Sequence, residues 1–314
     1  MTSKRPVALV TGASSGIGFS IAKHLYRHGF TVYAGARRVY QMSGLEALGI
    51  HTTFLDVTDT DSIQSLVKQI ATDEGRLDVL VNNAGYGLFG AIEEVPLEKA
   101  RQQFDVNVFG VTEMSKAVLP IMRQQASGRI INISSVDGKI ANPLGGWYVG
   151  SKFAVEGISD SMRLELADFG IKVIVIEPGN IKSDWAKISA DQLAEVAGDG
   201  PYQPLSAEAG AFLKTLSEFG SEPSVIARKV TFAATARRPR ARYAVGGGAP
   251  AGVLARRILP DSAIDFLLKQ SGKLALKYQN SKSSLITQIL MKHRKLTSKT
   301  VTGMIKTNNT RGVP

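Results

Sequence analysis

Tyr148 and Lys152 stand four positions apart in Tyr148-Val149-Gly150-Ser151-Lys152, and Ser135 lies thirteen positions upstream of the tyrosine. On a helix that spacing puts both side chains on one face, a turn apart. A phenol beside an ammonium is a proton donor with a tuned pKa. The cation stabilises the tyrosinate and draws a group that ordinarily titrates near about 10 towards neutrality. Acid–base chemistry on a carbonyl or alcohol calls for such a group, and the Ser135 hydroxyl could hydrogen-bond the same substrate oxygen. Taken alone, a Tyr and a Lys four apart suit any exposed helix as well. The surrounding motifs decide.

The first of these opens the chain. Pro6-Val7-Ala8-Leu9-Val10 reads as a strand buried on both faces. It runs into Thr11-Gly12-Ala13-Ser14-Ser15-Gly16-Ile17-Gly18, after which Ile21, Ala22 and Leu25 recur at helical spacing. Strand, glycine turn and helix together form the setting of a dinucleotide site. Gly12 permits the tight turn, Gly16 lets backbone approach a pyrophosphate, and Gly18 lets helix and strand pack closely. A second strand over Phe30–Gly35 ends in Ala36-Arg37-Arg38, with no carboxylate to take a ribose diol. Two guanidiniums there match a 2′-phosphate in charge and fork geometry, which predicts NADP(H) in preference to NAD(H). A solvated arginine pair at a helix start is the plainer reading of the same residues.

The elements alternate from there. Thr53–Val57 is expected as a third strand, whose Asp56 could reach an adenine amino group, and Asp59 and Asp61 open a helix. Leu77–Val81 is expected as a fourth strand, closing on Asn82-Asn83-Ala84-Gly85. A long helix over Leu97 to about Gln124 carries Asn107 in its middle. Arg129–Ile133 reads as the fifth strand, ending at Ser134-Ser135, and the Tyr148 helix follows. Val173–Ile176 reads as the sixth, stopped by Glu177-Pro178-Gly179, and Tyr243–Gly246 as the last. Such alternation predicts an α/β fold, a Rossmann-type doubly wound parallel sheet, with ligands at the C-terminal ends of the strands.

These residues, in this order and spacing, resemble the short-chain dehydrogenase/reductase family over about residues 5 to 270. The overall style is similar to hydroxysteroid and retinol dehydrogenase relatives and to bacterial members of the family. The resemblance implies hydride transfer between a nicotinamide and a carbonyl or alcohol, by a tetrad of Asn107, Ser135, Tyr148 and Lys152. Tyr148 would be the acid/base and Ser135 would orient the substrate oxygen. Lys152 would bind the nicotinamide ribose and tune Tyr148, while Asn107 would hold a relay water. Cofactor contacts would fall on Gly12, Ser14, Ser15, Gly16, Ile17, Gly18, Arg37, Arg38, Asp56, Val57, Asn83, Ala84, Gly85, Tyr148, Lys152, Pro178, Gly179, Ile181 and Ser183. Ser183 takes a position where the family usually has Thr, and its hydroxyl can still donate. A 3-ketoacyl-thioester reductase would use the same tetrad; a protein that binds NADPH without turnover is the rival from another class. The family also implies a homodimer or homotetramer, joined through helices around Phe104–Leu119 and Phe153–Ala167.

Asp184–Gly220 departs from regular periodicity and is where the family places its substrate lid. Trp185, Tyr202, Phe212 and Leu216 would line a pocket for a hydrophobic small molecule.

The totals bound the rest. The chain of 314 residues has no cysteine, which excludes disulfides and thiolate chemistry and fits a reducing, cytoplasmic setting. No metal site is expected. The net charge of +11 is uneven: from Arg228 onward there are 18 basic residues against two acidic ones, and before it 20 against 25. The basic excess belongs to a C-terminal extension, expected over residues 271–314 beside a domain over 1–270, and expected to be partly disordered. Leu285, Ile286, Ile289 and Leu290 recur at helical spacing beside Lys292-His293-Arg294-Lys295. Such a stretch suits weak peripheral contact with an anionic membrane, or a solvated tail. No binding fold accompanies the charge, so nucleic acid is not an expected partner.

Overall fold

Along the first strand, β1 (Val7–Thr11), Ala8 and Val10 join one hydrophobic cluster while Val7 and Leu9 join another. Alternate side chains of a strand point to opposite faces, so a strand apolar at every position must lie between two layers. The computed structural model describes residues 5–182 and 184–283, with the backbone alone at 184, 185 and 187.

The chain continues through α1 (Gly16–Arg27), β2 (Thr31–Ala36), the short α2 (Ser43–Glu46), β3 (His51–Phe54), α3 (Thr60–Glu74) and β4 (Val79–Asn82). Next come α4 (Leu97–Phe104), α5 (Gly110–Gln124), β5 (Gly128–Ile133), α6 (Gly146–Glu165) and β6 (Ile171–Pro178). Then follow α7 (Asp184–Ala197), α8 (Gln203–Glu218), α9 (Pro223–Thr235), β7 (Arg242–Val245) and α10 (Ala249–Ile258), with a last helix over 261–283. The strands form one seven-stranded parallel sheet in the order β3-β2-β1-β4-β5-β6-β7. This is the expected doubly wound Rossmann-type fold, and it forms a single domain.

One face of the sheet packs on Ile21, Ala22 and Leu25 of α1 and Ile226, Ala227 and Val230 of α9. The other packs on Ile63, Leu66 and Ile70 of α3 and Met114, Val118 and Met122 of α5. The chain leaves β1 for β2 on one side and reaches β4 on the other. Order therefore reverses beside β1, and a crevice opens at the C-terminal ends of β1 and β4.

Several boundaries differ from the sequence reading. β3 ends at Phe54, because its ladder to the end of β2 closes with Ala36 opposite Phe54; Asp56 and Val57 sit in the following turn. β6 runs through Glu177 to Pro178, since β7 pairs with it up to Pro178 opposite Val245. The long helix of Asn107 is interrupted by a π-helical turn over Asp105–Phe109. The stretch expected to be irregular, 184–220, holds the two regular helices α7 and α8, with turns at Gly198 and Gly200 between them.

The helix over 261–283 crosses position 270 without a break and lies along α8. Gln279 Nε2 donates to Thr215 Oγ1 at 3.0 Å, and Lys282 pairs with Glu218 at 2.7 Å. The amphipathic stretch 285–296 lies outside the described residues. Among the described residues, no helix is long and apolar enough to cross a membrane.

Candidate active site

The crevice is a cleft with a cavity volume of about 890 Å³, lined by the glycine turn, the ends of β2, β4, β5 and β6, the start of α6, and the α7–α8 hairpin. Its floor begins at Gly12, whose φ of +66° is a left-handed conformation. A side chain there would also run into the Cα of Ala84 at 2.7 Å. At Gly18 a Cβ would lie 2.4 Å from the Gly12 oxygen, so only glycine lets α1 start this close to the turn. Asn83 ties the turn down: Nδ2 donates to Thr11 O at 3.0 Å and Gly12 O at 3.2 Å. The backbone of Asn83 and Ala84 donates to Thr11 Oγ1.

Ser15 caps α1 without a side-chain hydrogen bond, and the first turn of α1 holds no acidic residue. Its open N–H groups and the helix dipole therefore favour an anion. With the open glycine face at Gly16, this fits a dinucleotide pyrophosphate. Arg37 and Arg38 follow β2 directly, are exposed, and line the same cleft. Asp56 lines it too, with Oδ1 held by the backbone N–H and hydroxyl of Thr58 at 3.0 and 2.8 Å. Ser14, Ser15, Ile17, Val57, Gly85, Pro178, Gly179 and Ile181 join them in the cleft wall; Ser183 lies outside the described residues.

At the far end the fold gathers Ser135, Tyr148 and Lys152 in the cleft wall, while Asn107 is buried and does not line it. Ser135 leaves β5 as the cap of a single 3-10 turn over Val136–Gly138, and Tyr148 and Lys152 project from α6. Tyr148, Ser135 and Lys152 are 8%, 7% and 7% exposed. Ser135 and Tyr148 are hydrogen-bonded to each other. Lys152 Nζ donates to Ile133 O at 2.9 Å and lies 5.7 Å from the centre of the Tyr148 ring. Asn107 is buried; its Nδ2 donates to Tyr86 O at 2.9 Å and Ser151 Oγ at 3.0 Å, and its Oδ1 accepts from Tyr86 N–H at 3.0 Å. Asn107 lies in the π turn, on the same buried face as Gln103 and Val111, and its amide meets α6 at Ser151.

Burial works against the tuning expected of Lys152. In the protein alone the Tyr148 phenol is pushed well above its ordinary pKa, by burial first and then by the Asp137 carboxylate; its hydrogen bond with Ser135 acts the other way. The Lys152 ammonium is turned to a main-chain oxygen, and burial lowers it to about 8, against the pull of Asp137 and Glu156.

Sequence reasoning passed over the roles of Asp137, Glu156, Glu177 and Arg242. Asp137 accepts from Ser135 Oγ at 3.2 Å through Oδ2 and from Asn142 Nδ2 through Oδ1. Glu156, one turn beyond Lys152, is 4% exposed and is met by Lys139 at 2.8 Å and Arg242 of β7 at 2.9 Å. Glu177, 2% exposed, sits 3.7 and 3.6 Å from the same two cations. The spacing 148, 152, 156 was a usable signal for Glu156. Nothing local marked Arg242, 86 positions away.

A family model described as short chain dehydrogenase matches residues 6–194. The chain belongs to the short-chain dehydrogenase family. It is similar to the oxidoreductase YusZ of Bacillus subtilis (strain 168), 38% identical over 276 residues, covering 85% of this chain and 98% of the relative. It is also similar to the solved structure of a short-chain dehydrogenase from Streptomyces avermitilis, at 31% identity and a TM-score of 0.72 over 87% of this chain and 98% of that one. A metagenomic short-chain oxidoreductase solved in complex with NADP matches at 28% identity and a TM-score of 0.60, over 76% of this chain and 95% of that one. As a short-chain dehydrogenase the protein is an NAD(P)-dependent oxidoreductase.

Proposed function

We propose that this short-chain dehydrogenase is an NADPH-preferring carbonyl reductase for an apolar small molecule, with Tyr148 as the acid/base. The observation that carries the reading is the meeting of Ser135, Tyr148 and Lys152 in one cleft with the glycine turn. A bound nicotinamide supplies the hydride, or takes it up in the reverse direction. Ser135 and Tyr148 converge on the carbonyl oxygen, and Tyr148 O–H gives it the proton as the alcohol forms. At neutral pH the Tyr148 phenol is protonated and can donate, while burial and Asp137 make it a weaker acid until a bound substrate oxygen draws the proton. Lys152, as a cation, holds the nicotinamide ribose, and Asn107 holds a relay water through the free lone pair of Oδ1.

Arg37 and Arg38 beside the cleft, with no carboxylate at the end of β2, support NADPH over NADH. The relative bound to NADP points the same way. The apolar hairpin supports a hydrophobic substrate: Leu193 of α7 and Leu213 of α8 pack in one cluster with Phe89 and Tyr148, and Phe212 and Leu216 line the cleft. The chain works as a homodimer or homotetramer, with the basic C-terminal stretch in weak contact with anionic membrane. A screen of ketones, aldehydes and acyl thioesters for NADPH oxidation tests the function. Turnover of ketones but not 3-ketoacyl thioesters is expected; turnover of thioesters alone would move the assignment to a ketoacyl reductase.

A further inference from the structure

Asp137 is a carboxylate in the catalytic end of the cleft, and among the described residues it has no cation bonded to it. It lines the cleft two residues after Ser135, and its backbone N–H donates to Ser135 Oγ at 3.1 Å, which fixes the turn that carries it. Its two oxygens accept only neutral donors, the Ser135 hydroxyl and the Asn142 amide. The Lys152 ammonium, which acts on it through space, is bonded to Ile133 O. Lys139, two positions on, is turned away to Glu156 and Glu177. Burial of a charge without an opposite charge is costly, and here it pushes the Asp137 carboxyl up to about 6. The same carboxylate also raises the Tyr148 pKa. Holding Ser135 and Asn142 needs only an uncharged acceptor, and among the described residues no cation is bonded to the negative charge.

Resting on the carbonyl-reductase reading, we propose that Asp137 recognises an ammonium on the carbon next to the reacting carbonyl, so that the substrate class is a long-chain 2-aminoketone. Ordinary bond lengths put a nitrogen on that carbon about 3 Å from the carbonyl oxygen. Asp137 Oδ2 lies 3.2 Å from Ser135 Oγ and accepts its O–H; an ammonium seated on Oδ2 replaces that donor and frees the Ser135 O–H to turn to the carbonyl oxygen. One ligand can therefore meet both with normal hydrogen bonds, and the ion pair gains because half-buried Asp137 is only partly open to water. The rest of the molecule would run along the apolar Leu205, Ala209, Phe212 and Leu213, with Glu208 also in that wall.

The test compares wild type and Asp137→Asn with a twelve-carbon 2-amino-3-ketone and with the same ketone lacking the amine. Wild type is expected to favour the amino compound about tenfold to a hundredfold in kcat/KM, the usual worth of a hydrogen bond to a charged group. Asp137→Asn should cost the amino ketone at least tenfold more than it costs the plain ketone, chiefly in KM. Equal treatment of the two ketones by wild type, or equal losses in the variant, overturns the proposal. Calorimetric binding of the matching 2-amino-3-alcohol and of the plain alcohol to NADP-loaded protein gives a reading without turnover. If wild type reduces neither ketone, the carbonyl-reductase reading fails, and preference for the amino alcohol, lost in Asp137→Asn, still decides the role of Asp137. Should Asp137→Asn instead weaken NADP⁺ itself as much as the amine, the carboxylate serves the cofactor's charge and the proposal falls.

Discussion

Lys152 Nζ donates to the main-chain oxygen of Ile133 over 2.9 Å, joining the middle of α6 to the end of β5. The bond fixes the lysine in the cleft and holds the helix that carries Tyr148 against the strand that leads to Ser135. Lys152→Ala is therefore expected to lower turnover and NADPH affinity together, each by tenfold or more. Steady-state kinetics and a cofactor fluorescence titration would check this. Loss of turnover with unchanged affinity would remove Lys152 from the cofactor site.

Arg37 and Arg38 carry the expected cofactor preference. Replacing both by neutral residues should weaken NADPH far more than NADH, by about 2–4 kcal/mol for two charge-assisted contacts. Dissociation constants for both cofactors decide it. Equal weakening, or a wild-type preference for NADH, would contradict the assignment.

Phe109, at the head of α5, and Phe153, on α6, are 57% and 47% exposed. Two large rings open to water on neighbouring helices suit an interface between copies of the chain. Light scattering should find a dimer or tetramer, and Phe153→Glu should shift it towards monomer. A wild-type monomer at assay concentration would end that reading.

The Asp137 carboxyl, raised to about 6 from an ordinary value near 4, makes stability depend on pH. Between those values the folded state binds the proton more tightly than the unfolded one, so this group lowers stability as pH climbs from about 4 to about 6. Asp137→Asn removes the effect. Relative to wild type it should gain on the order of 1–2 kcal/mol at neutral pH and little near pH 4, as followed by thermal unfolding at both. An equal shift at both pH values would mean that packing, not charge, is responsible.

Much of the fold was legible because its signals are local. β1 is apolar at every position, Gly12, Gly16 and Gly18 follow at once, and Tyr148 and Lys152 share a helix face. The edge strand β3 was misplaced because Leu55 and Val57, though buried, lie beyond the ladder; burial extended the pattern past the pairing. The buried face of Asn107 follows from Gln103, Asn107 and Val111 standing four apart, but the π turn there is announced by no spacing. Glu156, Glu177 and Arg242 meet only when β6, β7 and α6 come together, so their pairing is a tertiary fact. The upward push on Tyr148 was hidden for the same reason: a spacing of four places Lys152 nearby but does not reveal Asp137 or the depth of burial.

The most direct measurement is NADPH-dependent reduction of the best ketone by Tyr148→Phe. The substitution keeps the ring that packs with Phe89 and removes only the proton donor. Turnover should fall by about 10²–10⁴, the usual share of general acid catalysis, with the dissociation constant for NADPH within about threefold of wild type. A Tyr148→Phe protein that reduces the ketone within tenfold of the wild-type rate would contradict the account.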